Sequence, residues 1–202
     1  MKLFQASVLL FCLFFSAVST AADKIEGRIL KVGTEAFIHI NPGDRLIPLK
    51  ATNALDASAI RRLESGDFIT GQGQLTRNEA RLETLYFVGL QRLLGLWRSR
   101  EAEVFEFRTY EDLRLYWPLD PKATLGGTPV RVKTYSYNVS PSSESHWAML
   151  LVDADSVEIA RLYFKNEGEA TGRIFVDLLD RNTGQIKHSF QLTQIALGQA
   201  TR

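Results

Sequence analysis

Polar and apolar residues alternate along most of this 202-residue chain. A period of two is typical of β-strands that bury one face and expose the other. In the first part of the chain it predicts strands at 24–32, 36–41, 45–51, 67–75 and 81–90. The pattern continues almost to the last residue. The chain is therefore predicted to be all-β, with a single helical interruption.

That interruption lies between the third and fourth predicted strands. Ile60 and Leu63 share one face of a helix predicted over 57–64, with Asp56 as its N-cap. The order of three strands, one helix and two strands resembles the OB-fold. The resemblance implies a five-stranded Greek-key barrel over residues 23–88, in which the helix joins the third strand to the fourth.

Eight more strands are predicted after residue 88, without a helix between them. They lie around Trp97 and at 103–110, 112–118, 130–140, 146–155, 157–167, 171–180 and 185–195. Gly95-Leu96-Trp97 at the start of this run resembles the Gly-x-Trp start of the lipocalin-like (calycin) barrels. The resemblance implies an eight-stranded antiparallel β-barrel over residues 89–202, in which Trp97 plugs one end and a small apolar ligand occupies the lumen. A β-sandwich remains the alternative architecture.

The N-terminal segment has the order of a secretory signal peptide. Lys2 precedes an apolar run from Leu3 to Phe15, and small residues follow before Asp23. The run is shorter than the roughly 20 apolar residues that span a bilayer. We therefore expect residues 1–22 to be removed by a Sec-type route, leaving a mature chain without a transmembrane segment.

Composition narrows the compartment and the partners. The chain has 24 basic and 23 acidic residues, and removal of Lys2 makes the two numbers equal. A nucleic-acid partner is not expected, because such proteins usually carry a basic excess. Cys12 is the one cysteine and lies in the predicted signal peptide, so the mature chain has no thiol for disulfides or catalysis. An extracytoplasmic protein without disulfides indicates a bacterial periplasmic or secreted location.

Motifs for catalysis or cofactor binding are not recognisable. His39, His146 and His188 are too far apart in sequence to form a metal-binding pair, and neither a nucleophile motif nor a phosphate-binding loop occurs. Two acidic clusters lack the spacing of a calcium loop: Asp153, Asp155 and Glu158, and Asp177, Asp180 and Asn182. The sequence therefore predicts a protein that is not an enzyme and has no cofactor and no metal.

Candidate binding residues come from the faces of the predicted strands. Phe37 and His39 share a face of the second strand, where the OB-fold resemblance implies contact with a protein, peptide or glycan. His188 shares a face with Phe190 near the end of the chain, so an inward His188 is predicted to orient a ligand or to sense pH. The alternatives are an ordinary half-exposed strand histidine for His39 and a core histidine satisfied by a neighbour for His188.

These observations predict a non-enzymatic extracytoplasmic binding protein with a small apolar or amphipathic ligand in the C-terminal barrel. The alternative is an envelope adaptor or structural protein that docks a protein or glycan partner through the OB-like domain. The candidate ligand-binding residues are Phe37, His39, Trp97, Phe105, Phe107 and His188.

Overall fold

A computed structural model describes residues 22–40, 45–118, 130–165 and 172–195. The predicted signal peptide, apart from its last residue, lies outside the described residues. The first five strands are β1 (Asp23–Val32), β2 (Glu35–Ile40), β3 (Arg45–Ala51), β4 (Phe68–Leu75) and β5 (Ala80–Gly89). Helix α1 (Ala54–Arg62) joins β3 to β4, as predicted, and a short 3₁₀ helix (Gln91–Leu93) follows β5.

Eight further strands complete the described chain. They are β6 (Gly95–Ser99), β7 (Val104–Phe107), β8 (Asp112–Pro118), β9 (Val130–Pro141), β10 (Trp147–Val152), β11 (Val157–Lys165), β12 (Arg173–Leu179) and β13 (Ile186–Gln194). The two groups of strands form two closed barrels, of five and eight strands. The all-β prediction is confirmed. The β-sandwich alternative is wrong, because β13 pairs with β6 and leaves no second sheet.

The five-stranded barrel closes through a parallel pairing of β3 with β5, and β4 returns to β1. Two glycines allow β4 to bend sharply along β5, where the register shifts twice. A Cβ on Gly71 would lie 2.4 Å from the Thr84 carbonyl oxygen, and one on Gly73 would lie 2.0 Å from that of Arg81. No side chain fits at these distances, so the strand crossing requires glycine.

Helix α1 differs from the prediction at its start. Asn53, not Asp56, is the N-cap, and its side chain accepts a hydrogen bond from the Asp56 backbone N–H at 2.8 Å. Asp56 lies in the first turn, is buried, and accepts a hydrogen bond from the backbone N–H of Leu85 at 3.1 Å. The alternation of apolar residues does not show that the Asp56 carboxylate binds the backbone of β5. An acidic residue just before a helical pattern therefore predicted an N-cap at Asp56.

Hairpins alternate between the two ends of the eight-stranded barrel, because all its neighbouring strands are antiparallel. At one end the 3₁₀ helix packs beneath the sheet, and the Trp97 indole N–H donates to the Leu93 carbonyl at 2.7 Å. The Arg92 guanidinium lies 3.5 Å from the centre of the Phe164 ring at this end. We call this end of the eight-stranded barrel the closed end, and we call the end with the β6–β7 turn the open end.

The five-stranded barrel packs against the closed end. The Arg62 guanidinium donates to the carbonyls of His146 at 2.5 Å and Ser142 at 3.2 Å, and it lies 4.0 Å from the centre of the Trp147 ring. Tyr110 stacks on Phe68 with ring centroids 6.3 Å apart. One continuous buried core runs through both barrels. Polar and apolar contacts together therefore fix the joint.

We expect Arg62→Ala to lower the free energy of unfolding by about 2–3 kcal/mol, because two backbone carbonyls lose a charged donor and Trp147 loses its cover. Arg61→Ala is the matched control, since Arg61 is the exposed neighbour on the same helix. Urea unfolding followed by tryptophan fluorescence measures both. Equal stabilities of the two variants would show that the Arg62 contacts do not hold the barrels together.

A buried carboxylate lies next to this joint. Asp67 is 1 % exposed and accepts backbone hydrogen bonds from Glu64 and Gln91, both at 2.7 Å. Burial raises its pKa to about 6, against the opposing effect of these two N–H donors; the charge of Glu64 raises it further and that of Arg92 lowers it. The folded protein therefore binds a proton more tightly at Asp67 than the unfolded chain does.

This difference makes stability depend on pH. Between the unfolded pKa of 3.8 and the folded pKa of about 6, the folded state holds more protons, so the contribution of Asp67 to stability falls as pH rises. We expect a loss on the order of 3 kcal/mol from pH 4 to pH 7 that Asp67→Asn lacks. Urea unfolding of both proteins across this range measures it. Parallel stability curves would contradict the raised pKa.

Candidate ligand-binding site at the open end of the second barrel

Strand β6 is shorter than its neighbour β13, and this difference opens the barrel wall. Their pairing covers Leu192–Gln194 of β13 and stops at Ser99 of β6. The part of β13 from Ile186 to Gln191 pairs with β12 on one side only, among the residues that the structure describes. Side chains on both faces of this stretch of β13 therefore border the same gap in the barrel wall.

A cavity of about 370 Å³ lies at this opening. The β6–β7 turn contributes Ser99, Arg100, Glu101 and Glu103 to its lining. Strands β11, β12 and β13 contribute Tyr163, Phe175, Asp177, His188, Ser189, Phe190 and Gln191. We call this space the rim cavity. It lies at the open end, away from the five-stranded barrel.

Aromatic rings stand on both sides of the rim cavity. On the inner side, His188 lies 4.2 Å from Phe190, and Phe190 meets Phe105 edge to face at 5.1 Å between centroids. On the outer side, Tyr163 and Phe175 stack in parallel at 5.1 Å. The inner rings form a continuous aromatic path from the cavity into the barrel core.

The β6–β7 turn holds a carboxylate at the cavity. The Ser99 hydroxyl accepts hydrogen bonds from the backbone N–H groups of Glu101 and Glu103, both at 3.1 Å, and donates to the Glu103 carboxylate. Glu103 is 9 % exposed. Ala102, between them, has a φ of 70°, a left-handed conformation that strains a residue with a Cβ. The turn is thus fixed in a shape that keeps Glu103 inside.

Asp177 brings a second carboxylate to the cavity from β12. It is 6 % exposed and accepts a hydrogen bond from the Ser189 hydroxyl at 2.5 Å. The pKa of Tyr163 is raised, first by burial and then by the negative charge of Asp177 and a hydrogen bond to it. Two buried carboxylates, two hydroxyls and aromatic rings therefore line one cavity, which can hold a small molecule with both polar and apolar parts.

The sequence-predicted residues fall in three places. His188 lines the rim cavity on the same strand face as Phe190, but it is exposed at the barrel mouth instead of lying deep inside. Trp97, Phe105 and Phe107 are buried in the barrel core, and Phe190 connects Phe105 to His188. The structure therefore brings four of the six candidate residues into one barrel, and one of those four to the cavity.

The other two, Phe37 and His39, lie on the outer face of β2 in the first barrel. Leu30 on β1 and Pro48 on β3 flank Phe37, and Leu46 on β3 flanks His39. Leu30 and Leu46 are 41 % and 45 % exposed. This exposed apolar strip is separate from the rim cavity.

Sequence reasoning missed Glu103, Asp177, Tyr163 and Phe175. Glu103 belongs to a polar stretch that is typical of an ordinary turn. Asp177 belongs, by sequence, to the acidic cluster with Asp180. The weak signal available was that aromatic and acidic residues occupy the nominally outer face of β11 and β12. Only the ending of β6 at Ser99 turns that face into a cavity wall.

Each of the two acidic clusters has one member that shapes a hairpin turn, Asp153 in the first and Asp180 in the second. The Lys133 ammonium donates to Asp153, and the backbone N–H groups of Asp155 at 2.7 Å and Ser156 at 2.8 Å donate to it as well, so its pKa is held far below its usual range, first by Lys133. Asp180 caps the β12–β13 turn through the N–H of Thr183 at 2.8 Å. No group of three potential metal ligands occurs in the described parts of the chain.

Comparisons with known proteins return nothing: no protein family, no curated protein and no solved structure matches this chain. None of the helices in 22–40, 45–118, 130–165 and 172–195 has the length and apolar character needed to cross a bilayer. The candidate function therefore rests on the geometry of the rim cavity.

The strained turn gives a prediction. We expect Ala102→Gly to stabilise the protein by about 0.5–1 kcal/mol, because glycine adopts a φ of 70° without the Cβ clash. Ala57→Gly in α1 is the matched control and should destabilise by about 1 kcal/mol. Thermal unfolding of the three proteins measures the signs. A destabilised Ala102→Gly would mean that the left-handed conformation is not that of the folded turn.

Proposed function

We propose that the protein is a non-enzymatic binding protein that carries a small amphipathic ligand in the rim cavity. The observation that carries this proposal is the cavity itself, of about 370 Å³, which joins aromatic rings to buried polar groups. Small-molecule sites commonly have roughly 300–1,000 Å³ and combine an apolar lining with a few polar groups that fix orientation.

Each side of the cavity has a distinct role in the proposed binding. Phe190 and the stacked pair of Tyr163 and Phe175 offer apolar area to the body of the ligand. His188, held against Phe190, offers a ring nitrogen as donor or acceptor and so orients the polar end. The turn at Ser99–Glu103 borders the opening and limits ligand size.

The likeness to lipocalin-like and OB-fold proteins belongs to the same proposal. Its support is the eight-stranded closed barrel that begins with Gly95-Leu96-Trp97, and the helix between the third and fourth strands of the first barrel. We also propose that residues 1–22 direct the protein to the periplasm or the exterior of a bacterial cell, where residues 23–88 and 89–202 act as its two domains. The apolar run after Lys2 supports this location.

A second candidate function is favoured by the apolar strip on the first barrel. Leu30, Phe37, Leu46 and Pro48 form adjoining positions on one outer face, next to His39. Exposed contiguous apolar surface is typical of protein interaction sites. Under this candidate the protein is an envelope adaptor that docks a protein or glycan, and the rim cavity has no cargo.

The test is to express the full chain in its source, with its own N-terminal segment, to purify the protein natively from there, and to analyse an organic extract by mass spectrometry. We expect a stoichiometric amphipathic small molecule, reduced several-fold in His188→Ala because its polar end loses a partner. His146→Ala is the matched control, since the side chain of His146 lies outside the rim cavity. An extract without any bound molecule would overturn the carrier function and favour the adaptor.

A further inference from the structure

The rim cavity has an electrostatic imbalance. Glu103 and Asp177 are 9 % and 6 % exposed, and neither forms an ion pair with a lysine, arginine or histidine among the described residues. A buried carboxylate is costly unless a cation or several hydrogen bonds compensate it. Two such carboxylates in one cavity wall therefore cost the folded protein free energy as long as no ligand occupies the cavity.

Hydrogen bonds compensate these two carboxylates only in part. The Glu103 carboxylate accepts from the Ser99 hydroxyl, and Asp177 accepts from the hydroxyls of Ser189 and Tyr163. An ionised carboxylate has about four acceptor positions. Each carboxylate thus keeps unused acceptor positions next to the cavity. A positively charged donor there fills these positions and compensates the negative charge as well.

The aromatic lining favours the same kind of ligand. Tyr163 and Phe175 stack in parallel beside Asp177, and Phe190 stands on the other side of the opening. Aromatic faces attract cations, because the ring quadrupole is negative there. An ammonium group with an apolar body therefore gains from the rings and from the carboxylates together.

Two arginines act in the opposite direction. Arg100 lines the rim cavity itself, and together with Arg98 it also lines a smaller cavity of about 190 Å³ that shares Ser99 and Gln191 with the rim cavity. Both arginines are exposed. Solvent and salt screen exposed charges far more than buried ones. The buried carboxylates therefore decide the sign of the charge that the rim cavity prefers.

We propose that the rim cavity selects a cationic ligand, an organic ammonium with an aromatic or aliphatic body, whose charged group is held by Glu103 and Asp177. This inference rests on the proposed carrier function and specifies the ligand class of the same site. The body of the ligand lies against Phe190 and the stacked pair of Tyr163 and Phe175. His188 then borders the charged end of the ligand.

Three probes of nearly equal shape test the inference: 2-phenylethylammonium, 2-phenylethanol and 3-phenylpropionate. Isothermal titration calorimetry on the full chain should give an affinity for the ammonium at least about tenfold above that for the alcohol, with the carboxylate probe weakest. The NMR shift of the His188 ring reports whether binding occurs at the rim cavity. The comparison of probes on the unmodified protein does not depend on any variant folding.

Variants then locate the effect. Glu103→Gln and Asp177→Asn keep size and hydrogen bonding but remove charge, and each should weaken binding of the ammonium about fivefold or more while the alcohol changes less than about twofold. Glu111→Gln is the matched control, because Glu111 is an exposed carboxylate in the β7–β8 turn at the closed end. It should leave all three affinities unchanged.

The failures are distinguishable. Equal or tighter binding of the alcohol or the carboxylate probe, with the His188 shift, would overturn the cation preference and leave the carrier function standing. Binding of the ammonium that Glu103→Gln and Asp177→Asn do not weaken would overturn the assigned residues and hence the inference. Binding of none of the three probes at millimolar concentration also overturns it, and the native extract then decides separately whether the carrier function stands.

Discussion

The eight-stranded barrel is closed by the pairing of β6 with β13 at three positions. Leu192, Thr193 and Gln194 face Ser99, Arg98 and Trp97, and one more hydrogen bond, from the Ile195 N–H to the Leu96 carbonyl, extends the contact at 2.8 Å. Without this short ladder the sheet is open, and the Trp97 side chain loses its place in the core. With a longer one, the edge of β13 is covered and the rim cavity does not form. The length of β6 thus sets both closure and access.

The two ends of the eight-stranded barrel differ, because the five-stranded barrel packs against only one of them. At the closed end the 3₁₀ helix, Trp97 and the first barrel fill the space, and Arg62 spans the joint with two hydrogen bonds to backbone carbonyls. Among the residues that the structure describes, access to the barrel is left at the open end, where the β6–β7 turn and β13 meet. The first barrel therefore acts structurally as a base for the second, while its own outer face with Phe37 stays free of this joint.

Much of the fold follows from local patterns in the sequence. Period-two alternation located the strands to within a few residues, and β3 was predicted at its observed bounds, because alternate burial is a property that each strand carries by itself. The start of α1 was misplaced because Asp56 serves a tertiary contact with Leu85. The parallel pairing of β3 with β5 was also beyond reach, since no local signal selects a partner far along the chain.

The candidate site was predictable only in part, because local sequence patterns do not encode contacts between distant parts of the chain. Alternation placed His188 and Phe190 on one face, and that placement holds. It could not show that His188 stands at the mouth, because depth along a barrel depends on where the neighbouring strand ends. Glu103 comes from the β6–β7 turn and Asp177 from β12, and they line one cavity only through the three-dimensional course of the sheet. Pairwise proximity of this kind is absent from any single stretch of sequence.

In the described parts of the chain, the edge of β13 from Ile186 to Gln191 has no strand partner on its β6 side, and this has a consequence for the protein in concentrated solution. Free backbone groups along a strand can accept a strand from another molecule, which is the first step of domain swapping and fibril growth. Lys187 stands on this stretch and is paired with Glu158 at 2.7 Å, so a charge accompanies the exposed Ile186 beside it. Charged side chains at sheet edges discourage such addition. The opening at the rim cavity is therefore also the place where the described chain offers a strand edge to a second copy, with Lys187 as the charge that opposes such pairing.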